Sequence, residues 1–538
     1  MAKTLADATQ SAIGSTEAIY NSGEWALKRE EYQGYRDAYD GSEWEEKTGK
    51  SDPDTGRQAL RYPLQINPPA KVCRVHRAVM FGMREDTSSL PVKTLVSADS
   101  GGTREEQMRL QKFYNGTWRH SQGAAMLEEA GLLLQIYGGH YFKVAWEFWN
   151  PSLPYRIAVR SLKSPGWCLP IYDIYDPWHL LEAYIGYKIP VQVARAKYGI
   201  TVDASRKEVL YMEHWTKDTW ETTVDGEVPS MQWGDGAPQP LAGKNPWGLV
   251  PIVYIPHERD GDFYGKSLIG DIAGLSREIN ARMADEGDAV RETAHRMLVL
   301  KNARSRGAIK ARKIIGTNGR VIDEAIDIGD APVVTGAKDP DLSAVESRGI
   351  PASATGFSAN LWAEIRRQTD VAAIAMGDED MGGGRVTGPV TAWRMFPSIS
   401  HTMTERSAFS TGLNMIAETM SAIAIEREQS GAYKQLGIEG PGIPTNTAQM
   451  KLKQVWYPPV PVEDIQKVQA LTLRLQARGV SLYSYLERLG EDNIDEEIER
   501  IWKDFERETE IETEAKAKVA KSMPTNPGNF TPRDEGGK

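Results

Sequence analysis

A long run of apolar residues at helical spacing most restricts what this chain can fold into. The stripe consists of Leu268, Ile272, Leu275, Ile279, Met283, Val290, Ala294 and Met297. With Glu286 in its one polar slot, it advances 29 residues in eight steps, close to the roughly 3.6 residues of a helical turn. The stripe predicts an amphipathic helix of roughly 30 residues, ~45 Å long, that ends near Leu300. The character of the chain therefore changes at residue 264.

The chain before this helix has the pattern of a mixed α+β body. Helical spacing covers Arg104–Tyr137, and Gly138-Gly139 stops it. His140–Trp149 is then aromatic and β-branched, which is typical of a strand. Further strands are predicted at Arg156–Val159, Val209–Trp215 and Leu249–Ile255. Because turns join these elements without regular βαβ spacing, the pattern argues against a doubly wound sheet.

The chain after this helix contains two more helical patterns. Pro351–Asn360 is a loop of small residues, and the next helix is predicted over Leu361–Met376. A longer helix is predicted from Pro389 to Arg427, with a kink at Pro397. Between the two helices, Gly377–Gly388 holds five glycines in twelve residues. A backbone this permissive predicts a mobile loop.

The charge balance narrows the class of protein. The chain has 64 basic and 74 acidic residues, a net charge of −10, which excludes a uniformly basic protein that coats DNA. The predicted helical segment Val462–Ala520 holds most of the excess, because residues 487–520 contain 13 acids and 6 bases. The tail from Ser522 to Lys538 is rich in Pro, Gly and Asn, and we expect it to be disordered.

Cysteine usage and hydropathy indicate a soluble protein of a reducing compartment. Cys73 and Cys168 are the only cysteines, so no disulfide framework is possible, and each is interpreted as a buried small hydrophobe. Met1–Gln10 lacks the apolar core of a signal peptide. No apolar run approaches the roughly 18 residues that a membrane helix requires.

Two segments of the chain have a distinctly polar composition. Residues 1–55 form an arm with scattered aromatic residues. We interpret it as one or two short helices docked by those aromatics, and a solvated arm is an equal alternative.

Residues 296–320 carry eight bases and no acid: Arg296, Lys301, Arg304, Arg306, Lys310, Arg312, Lys313 and Arg320. This patch either contacts phosphate or an acidic partner, or is simply a solvated face. Around Gly316–Gly319 the pattern predicts a small hairpin.

The nearest approach to an enzyme signature is Gly265-Lys266-Ser267, which follows a predicted strand and opens a helix. A phosphate-binding P-loop has that context, since its backbone amides and helix N-terminus hold the phosphates. The spacing from Gly261 is one residue too short, and Asp260 occupies the position that requires glycine. The alternative is a tight turn in which Ser267 caps the helix and Asp271 lies in its first turn.

Other catalytic or metal-binding patterns are weak. Asp378, Glu379 and Asp380 could bind a hard cation, but a solvated loop tip is the favoured interpretation. The eight histidines show no close pairing along the sequence, which disfavours a zinc site. No Gly-x-Ser-x-Gly elbow occurs. We predict neither a catalytic residue nor a cofactor.

The order of the elements resembles the portal proteins of tailed bacteriophages. The central strings are Gly248–Pro256 (GLVPIVYIP) and Gly265–Asn280 (GKSLIGDIAGLSREIN), a strand that leads through a turn into a long helix with an asparagine. Asn67–Gly82 is similar to the family's early helix ending in Phe-Gly, and Gln476–Glu499 to its C-terminal helical pattern. The resemblance covers roughly residues 56–520 and lies in the joint order of these pieces. It departs from the family in the polar arm and at Thr387-Gly388.

The resemblance implies an α+β fold: an elongated, portal-like subunit with a mixed wing, a long helical stem, a small α/β clip and a C-terminal helical crown. Mapped onto this chain, these parts are an N-terminal arm (1–55), the wing (56–263 and 396–457), two stem helices (264–298 and 353–376), the clip (299–352), a tunnel loop with the start of a long helix (377–395), the crown (458–520) and a disordered tail (521–538).

The resemblance also implies a function. Portal proteins form rings of about twelve subunits at one capsid vertex, where they pass double-stranded DNA and have no enzymatic activity of their own. Their partners are the terminase, the head–tail adaptor, and the major capsid and scaffold proteins; they assemble in the host cytoplasm and stay in the virion. The implied contacts with DNA or adaptor are Asp378, Glu379, Asp380 and Arg385 in the tunnel loop, and Lys301, Arg304, Arg306, Lys310, Arg312 and Lys313 in the clip.

Physical reasoning agrees with a ring. Two long helices joined by a β-prone insert form a stem that cannot bury both faces alone, and neighbouring copies in a closed head-to-tail ring would cover it. At −10 per subunit, about twelve copies carry about −120, so much of the channel would repel phosphate except at local basic rings. The alternatives are a nucleotide-binding enzyme that uses Gly265-Lys266-Ser267 and a monomeric scaffold or adaptor.

Overall fold

The computed structural model describes most of the chain. The described residues are 17–42, 66–82, 84, 89–97, 101–150, 153–200, 205–231, 239–294, 297–301, 310–315, 321–327, 341–345, 352–377, 393–447, 450–459, 471–482, 485–486 and 494–522. The chain divides into two compact units, Met1–Val460 and Pro461–Lys538.

Two of the helices begin at side-chain caps that the sequence supplies. Asn67 accepts a hydrogen bond from the amide of Ala70 ahead of two prolines, and Thr103 forms a capping box with Glu106. The helices are α1 (Gly23–Asp40), α2 (Pro68–Phe81), α3 (Arg104–His120), α4 (Gly123–Tyr137), α5 (Val191–Tyr198), α6 (Leu268–Ala294), α7 (Ala352–Gln368), α8 (Phe396–Gln429), α9 (Ala432–Gln435) and α10 (Ile494–Ser522).

The strands are β1 (Val92–Val96), β2 (Gly139–Asn150), β3 (Leu153–Ser161), β4 (Cys168–Tyr172), β5 (Leu180–Pro190), β6 (Glu208–Thr216), β7 (Thr219–Val224), β8 (Ser230–Met231), β9 (Gln239–Pro240), β10 (Ala242–Lys244), β11 (Ile252–Pro256), β12 (Met297–Lys301), β13 (Lys310–Ile315), β14 (Val321–Asp327), β15 (Asp341–Val345) and β16 (Leu452–Trp456). The larger sheets are antiparallel, in the orders β10-β7-β6-β5-β4 and β11-β2-β3. Helices combined with antiparallel sheets confirm the predicted α+β class.

The main core lies where α8 crosses the three-stranded sheet. Phe409 and Leu413 of α8 pack with Phe142 of β2 and Ile255 of β11. Gly412 permits the close approach, because a Cβ there would lie 2.4 Å from Ile255 Cγ1. The helix predicted from Pro389 is interrupted just before Pro397: Trp393 and Arg394 are helical, Met395 is a turn, and α8 begins at Phe396. Pro397 thus lies in the first turn of α8, where a missing amide hydrogen costs no helical bond, and residues 389–392 lie outside the described residues.

The arm docks through its aromatic residues, as the aromatic interpretation predicted, although its helix is 18 residues long rather than short. Trp25, Tyr32 and Tyr39 of α1 are buried. The Trp25 indole N–H donates to the carbonyl of Gly166, 2.9 Å away. These contacts bury one face of a helix whose other residues are mostly charged or polar, so the fully solvated alternative is wrong for the described part of the arm.

Helices α6 and α7 form an antiparallel pair. Near the C-terminal end of α6, the Glu286 carboxylate accepts a hydrogen bond from the Ser358 hydroxyl of α7, 2.6 Å away. At the other end, Ile272 shares a core cluster with Val371, which follows α7. The predicted loop at Pro351–Asn360 is wrong, since α7 starts at Ala352 and ends at Gln368; Ala373–Met376 is a separate 3-10 turn.

A β-ribbon continues from the far end of the helix pair. Strand β12 follows α6 and pairs antiparallel with β15, which precedes α7. The prediction that the helix continues to Leu300 is wrong, because Met297–Lys301 is a strand. The predicted hairpin around Gly316–Gly319 is confirmed in its strands, since β13 and β14 pair antiparallel.

Helix α2 is held at its C-terminal end by a buried cation. The Arg406 guanidinium of α8 donates to the carbonyl of Met80 (2.8 Å) and that of Val79 (3.3 Å). It also donates to the carbonyl of Tyr457, 2.8 Å away. A cation near helix C-terminal carbonyls interacts favourably with the helix dipole, so Arg406 joins α2, α8 and the end of β16.

The second unit contains α10, and most of the side chains described in this helix are exposed. Trp502 and Phe505 stack edge to face with ring centroids 6.3 Å apart. Within the described part of the chain, no helix combines the length and apolar character needed to cross a membrane.

Candidate functional site

The helix pair obtains much of its apolar cover from its own chain. Leu268, Ile272 and Ile279 of α6 are buried with Leu361 and Ile365 of α7 and with one residue of α2. The expectation that neighbouring protomers must cover this stripe is wrong for these residues, because antiparallel pairing turns the two apolar faces together. Farther along the pair, Val290 and Phe357 are 58% and 44% exposed.

Four of the six predicted clip bases lie on described strands between α6 and α7. Lys301 ends β12 opposite Asp341 in the register. Lys310 is paired with Asp327, and Lys313 with Glu324, across β13 and β14. By sequence these two strands carry three bases and three acids, so the hairpin is more nearly neutral than the run of bases alone indicates. Of the remaining clip bases, Arg312 also lies on β13, whereas Arg304 and Arg306 lie outside the described residues.

The four tunnel-loop residues, Asp378, Glu379, Asp380 and Arg385, lie outside the described residues. On one flank, Gly377 ends the 3-10 turn with φ +83°, a conformation that favours glycine. On the other flank, Trp393 is 76% exposed. The predicted contacts of the four tunnel-loop residues with DNA therefore stay predictions.

The turn at Gly265-Lys266-Ser267 has the geometry of a helix cap. The Ser267 hydroxyl donates to the carbonyl of Ile136 and accepts from the amide of Ile269. The amide of Gly265 donates to the Tyr254 hydroxyl, and that of Lys266 to the carbonyl of Glu258. Because these amides already have acceptors in the protein, they cannot hold phosphate as a P-loop does.

The side chain of Lys266 is also paired within the turn. Its Nζ lies 2.6 Å from Asp260 Oδ2, so a carboxylate occupies the place that a phosphate group would take. The hydrogen bond and charge of Lys266 lower the pKa of Asp260 below its ordinary value. The geometry favours the turn-and-cap interpretation over nucleotide binding.

The fold assembles one polar cluster that the sequence analysis missed. It contains His76 of α2, Gln135 of α4, His257 after β11, and His401 and Glu405 of α8. Glu405 Oε1 accepts hydrogen bonds from His257 Nε2 (2.6 Å) and Gln135 Nε2 (2.8 Å). The ring centroid of His401 lies 4.7 Å from that of His76 and 5.5 Å from that of His257. Three of the eight histidines are therefore neighbours in space.

Glu405 lies at the centre of this cluster and is completely buried. Burial opposes its ionisation, but the hydrogen bond from His257 and the close approach of His401 outweigh that cost and lower the pKa of Glu405 below its usual range. Burial likewise opposes the charge on His401, but the interaction with Glu405 prevails and raises the pKa of His401. Burial lowers the pKa of His76 to about 4, so this ring is neutral at pH 7.

The sequence contains only part of the signal for this cluster. His401 and Glu405 are four residues apart, which places them on one helix face. His76 and His257 are distant in sequence, and only the crossing of α2, β11 and α8 brings them together. Histidines that are distant along the sequence are therefore close together in the folded protein.

The two cysteines lie outside this cluster's hydrogen bonds. Cys73 and Cys168 are free and buried, and burial raises the pKa of both thiols. Their interpretation as buried small hydrophobes is confirmed.

Comparison with protein-family models finds no match for this chain, and a search of curated proteins finds none either. The fold and its contacts therefore carry the functional argument.

Proposed function

We propose that this protein is a viral portal protein: a subunit of a ring of about twelve copies at one capsid vertex, through which DNA is packaged and ejected. The observation that carries the proposal is the antiparallel pair α6–α7, rooted in an α+β body and extended by the β12–β15 ribbon. An elongated helical stem with a β insert at its far end is the arrangement that the sequence resemblance implies. The ring would dock the terminase and the head–tail adaptor, and would meet the major capsid and scaffold proteins during assembly.

Exposed apolar residues support association between copies. In the first unit, Ile174 and Tyr175 are 85% and 96% exposed. Trp393 and Phe396, at the start of α8, are also exposed, and in the second unit so are Trp502, Phe505 and Ile511 of α10. Exposed apolar residues that gather in patches mark surfaces that other chains cover. A head-to-tail contact that closes on itself would cover such surfaces in every copy of a ring.

The charge of the chain suits a conduit for DNA. Each copy has a net charge of −10, so a ring of about twelve carries about −120 and mostly repels phosphate. Basic residues of the clip and Arg385 would supply weak contacts that do not depend on sequence. Such a channel lets DNA pass without holding it.

The mass and shape of the purified protein test this proposal. Because a subunit has a mass of 59.8 kDa, a ring of about twelve has a mass of roughly 720 kDa. We expect native mass measurement to find a species near this mass, and negative-stain images to show rings with a central hole. A chain that stays monomeric at every concentration and salt condition would contradict the proposal and would favour a monomeric scaffold or adaptor.

The nucleotide-binding alternative is tested in parallel. We expect no ATP hydrolysis by the wild-type chain, and none by Lys266→Ala, since Lys266 is paired with Asp260. ATP hydrolysis by the wild-type chain that Lys266→Ala abolishes would contradict a passive conduit and would favour a nucleotide-hydrolysing enzyme.

A further inference from the structure

Four buried side-chain atoms of this polar cluster lack hydrogen-bond partners. One is Gln135 Oε1, and the other three, His76 Nδ1, His401 Nε2 and Glu405 Oε2, belong to side chains that can bind a metal. The three side chains are at most 7% exposed, and each offers a ligand atom within 4.8 Å of the other two. His401 Nε2 also lies 3.2 Å from Glu405 Oε1, but without the geometry of a hydrogen bond. A buried polar group without a hydrogen bond destabilises the fold, so several in one cluster require a physical reason.

Each of these side chains is oriented from behind by another group. His76 Nε2 lies 2.7 Å from the carbonyl of Thr369. A carbonyl only accepts, so Nε2 carries the proton and Nδ1 presents a bare lone pair toward the cluster. Glu405 Oε1 is fixed by Gln135 and His257, which leaves Oε2 as the oxygen without a partner.

The ring of His401 is bracketed in the same way. Its Nδ1 lies 3.5 Å from Glu258 Oε1 and 3.5 Å from Asp370 Oδ2. The carboxylates beside Nδ1 favour a proton on that nitrogen. Nε2 is then unprotonated and can act as a ligand. An outer group that holds the far nitrogen of a histidine is the arrangement found behind metal-binding imidazoles.

We propose that His76 Nδ1, His401 Nε2 and Glu405 Oε2 bind one divalent first-row transition ion, of which Zn²⁺ is the best match. Two imidazoles and one carboxylate are a donor set that zinc accepts, with a fourth position left open. Metal–ligand bonds of about 2.0–2.2 Å place tetrahedral ligands roughly 3.3–3.6 Å apart. Because one ligand atom of each side chain lies within 4.8 Å of the other two, the side chains would need to close by about 1.5 Å at most. Calcium and magnesium prefer sites made entirely of oxygen.

The bound ion would act as a structural staple. It would join α2, which packs on the helix pair, to α8, which crosses the main sheet. It would also neutralise part of the negative charge on the buried Glu405. The competing explanation is a metal-free hydrogen-bonded network centred on His257 and Glu405, but that network leaves the same three atoms unbonded.

Zinc content tests the proposal with the full chain. The untagged protein is stripped with a chelator, given Zn²⁺ alone, desalted, and analysed for metal per chain by mass spectrometry. We expect about one zinc per chain and a higher unfolding temperature than that of the stripped protein. We expect zinc content at least tenfold lower in His76→Gln and in His401→Gln.

The control variant is His179→Gln, which alters an exposed histidine paired with Asp176. It should bind as much zinc as the wild-type chain. Wild-type protein without stoichiometric zinc, or ligand variants that retain as much zinc as the control, would overturn the site and favour the metal-free network.

X-ray absorption on the zinc-loaded wild-type chain keeps the test decisive if the ligand variants do not fold. We expect a first shell of nitrogen and oxygen at about 2.0–2.2 Å, with scattering from two imidazole rings. A sulfur ligand, which Cys73 or Cys168 would have to supply, or a shell of water alone, would refute this assignment. None of these outcomes depends on whether the protein forms a ring.

Discussion

At the scale of single residues, buried charge is the feature with the largest consequences. Glu213 of β6 accepts hydrogen bonds from Lys143 Nζ (2.5 Å), the Tyr211 hydroxyl (2.7 Å) and the Trp215 indole N–H (2.7 Å). Lys143 belongs to β2 of the three-stranded sheet and Glu213 to the five-stranded sheet. Burial opposes the charge on Glu213, but Lys143 and the other donors prevail and lower its pKa.

This pair predicts a specific pH dependence of stability. A carboxyl whose pKa is lower in the folded chain than its ordinary value of about 4.3 stabilises the fold above that value, and this contribution is lost as the pH falls through the folded pKa. We expect Glu213→Gln to lower the free energy of unfolding by about 3 kcal/mol at pH 7, because Lys143 stays buried without its counter-charge. Denaturant titrations at pH 7 and pH 3 measure both effects, and the loss should shrink at the lower pH.

Glu147→Gln is the matched control, since Glu147 lies on the same strand as Lys143 and pairs with Arg160 near the surface. Exposed pairs contribute about 0–1 kcal/mol, so the control should change stability little. Equal losses in the two variants would contradict the argument from burial.

Sequence reasoning could detect that such residues are unusual but not what they contact. Glu213 interrupts an apolar strand, and His140 follows two glycines at the start of another, which marks both as candidates for burial. The partners of Glu213 and Glu405 lie as far as 70 and 270 residues away. Only strand order and helix crossing determine which of these residues meet.

At the scale of elements, local period predicted most helices and strands, and long-range pairing decided their ends. The helix that the stripe predicts is confirmed up to Ala294. Met297 matches the stripe as well, but β12 pairs with β15 more than 40 residues later, and a local pattern contains no sign of that pairing. Pro397 lies in the first turn of α8, directly after the interruption of the helix at Met395.

The turn between α4 and β2 gives an element-scale prediction. Gly138 has φ +79°, and a Cβ there would lie 2.4 Å from the carbonyl oxygen of Gly265. We expect Gly138→Ala to destabilise the protein by about 3 kcal/mol, from the left-handed backbone and from a clash with backbone that cannot move aside. Thermal or denaturant unfolding measures the loss.

Gly116→Ala is the comparison, because Gly116 lies inside α3 with open space where its Cβ would point. It should stabilise the protein by about 0.5–1 kcal/mol. Similar stabilities for the two alanine variants would show that the crossing at Gly265 is not tight.

At the scale of the whole molecule, the apolar face of α10 is a candidate contact surface for the proposed ring. Trp502 and Phe505 are each 60% exposed. Sequence period predicted helix in Val462–Ala520, but it could not say whether an apolar face meets the same chain or another one. That distinction depends on contacts with other copies.

We expect Trp502→Glu combined with Phe505→Glu to weaken assembly at least tenfold, measured as the concentration of half-assembly by mass photometry. Burying each aromatic side chain is worth about 1.5–3 kcal/mol, and a charge in its place adds a desolvation cost. The control, Lys503→Ala, removes an exposed ion pair with Glu499 and should leave assembly unchanged. Assembly that is equally strong in the aromatic double variant would exclude α10 from the subunit interface.

The clamp of Arg406 on the end of α2 has a mechanical consequence. Helix α2 packs on the base of the helix pair through Val72, and its far end is tied to α8 and Tyr457 by one guanidinium. A sideways force on the β12–β15 ribbon would act on α6 and α7 as on a lever that turns about α2. The charged hydrogen bonds of Arg406 would resist this rotation, so a tilt of α6 and α7 would strain the contacts of Arg406 with α2 and Tyr457.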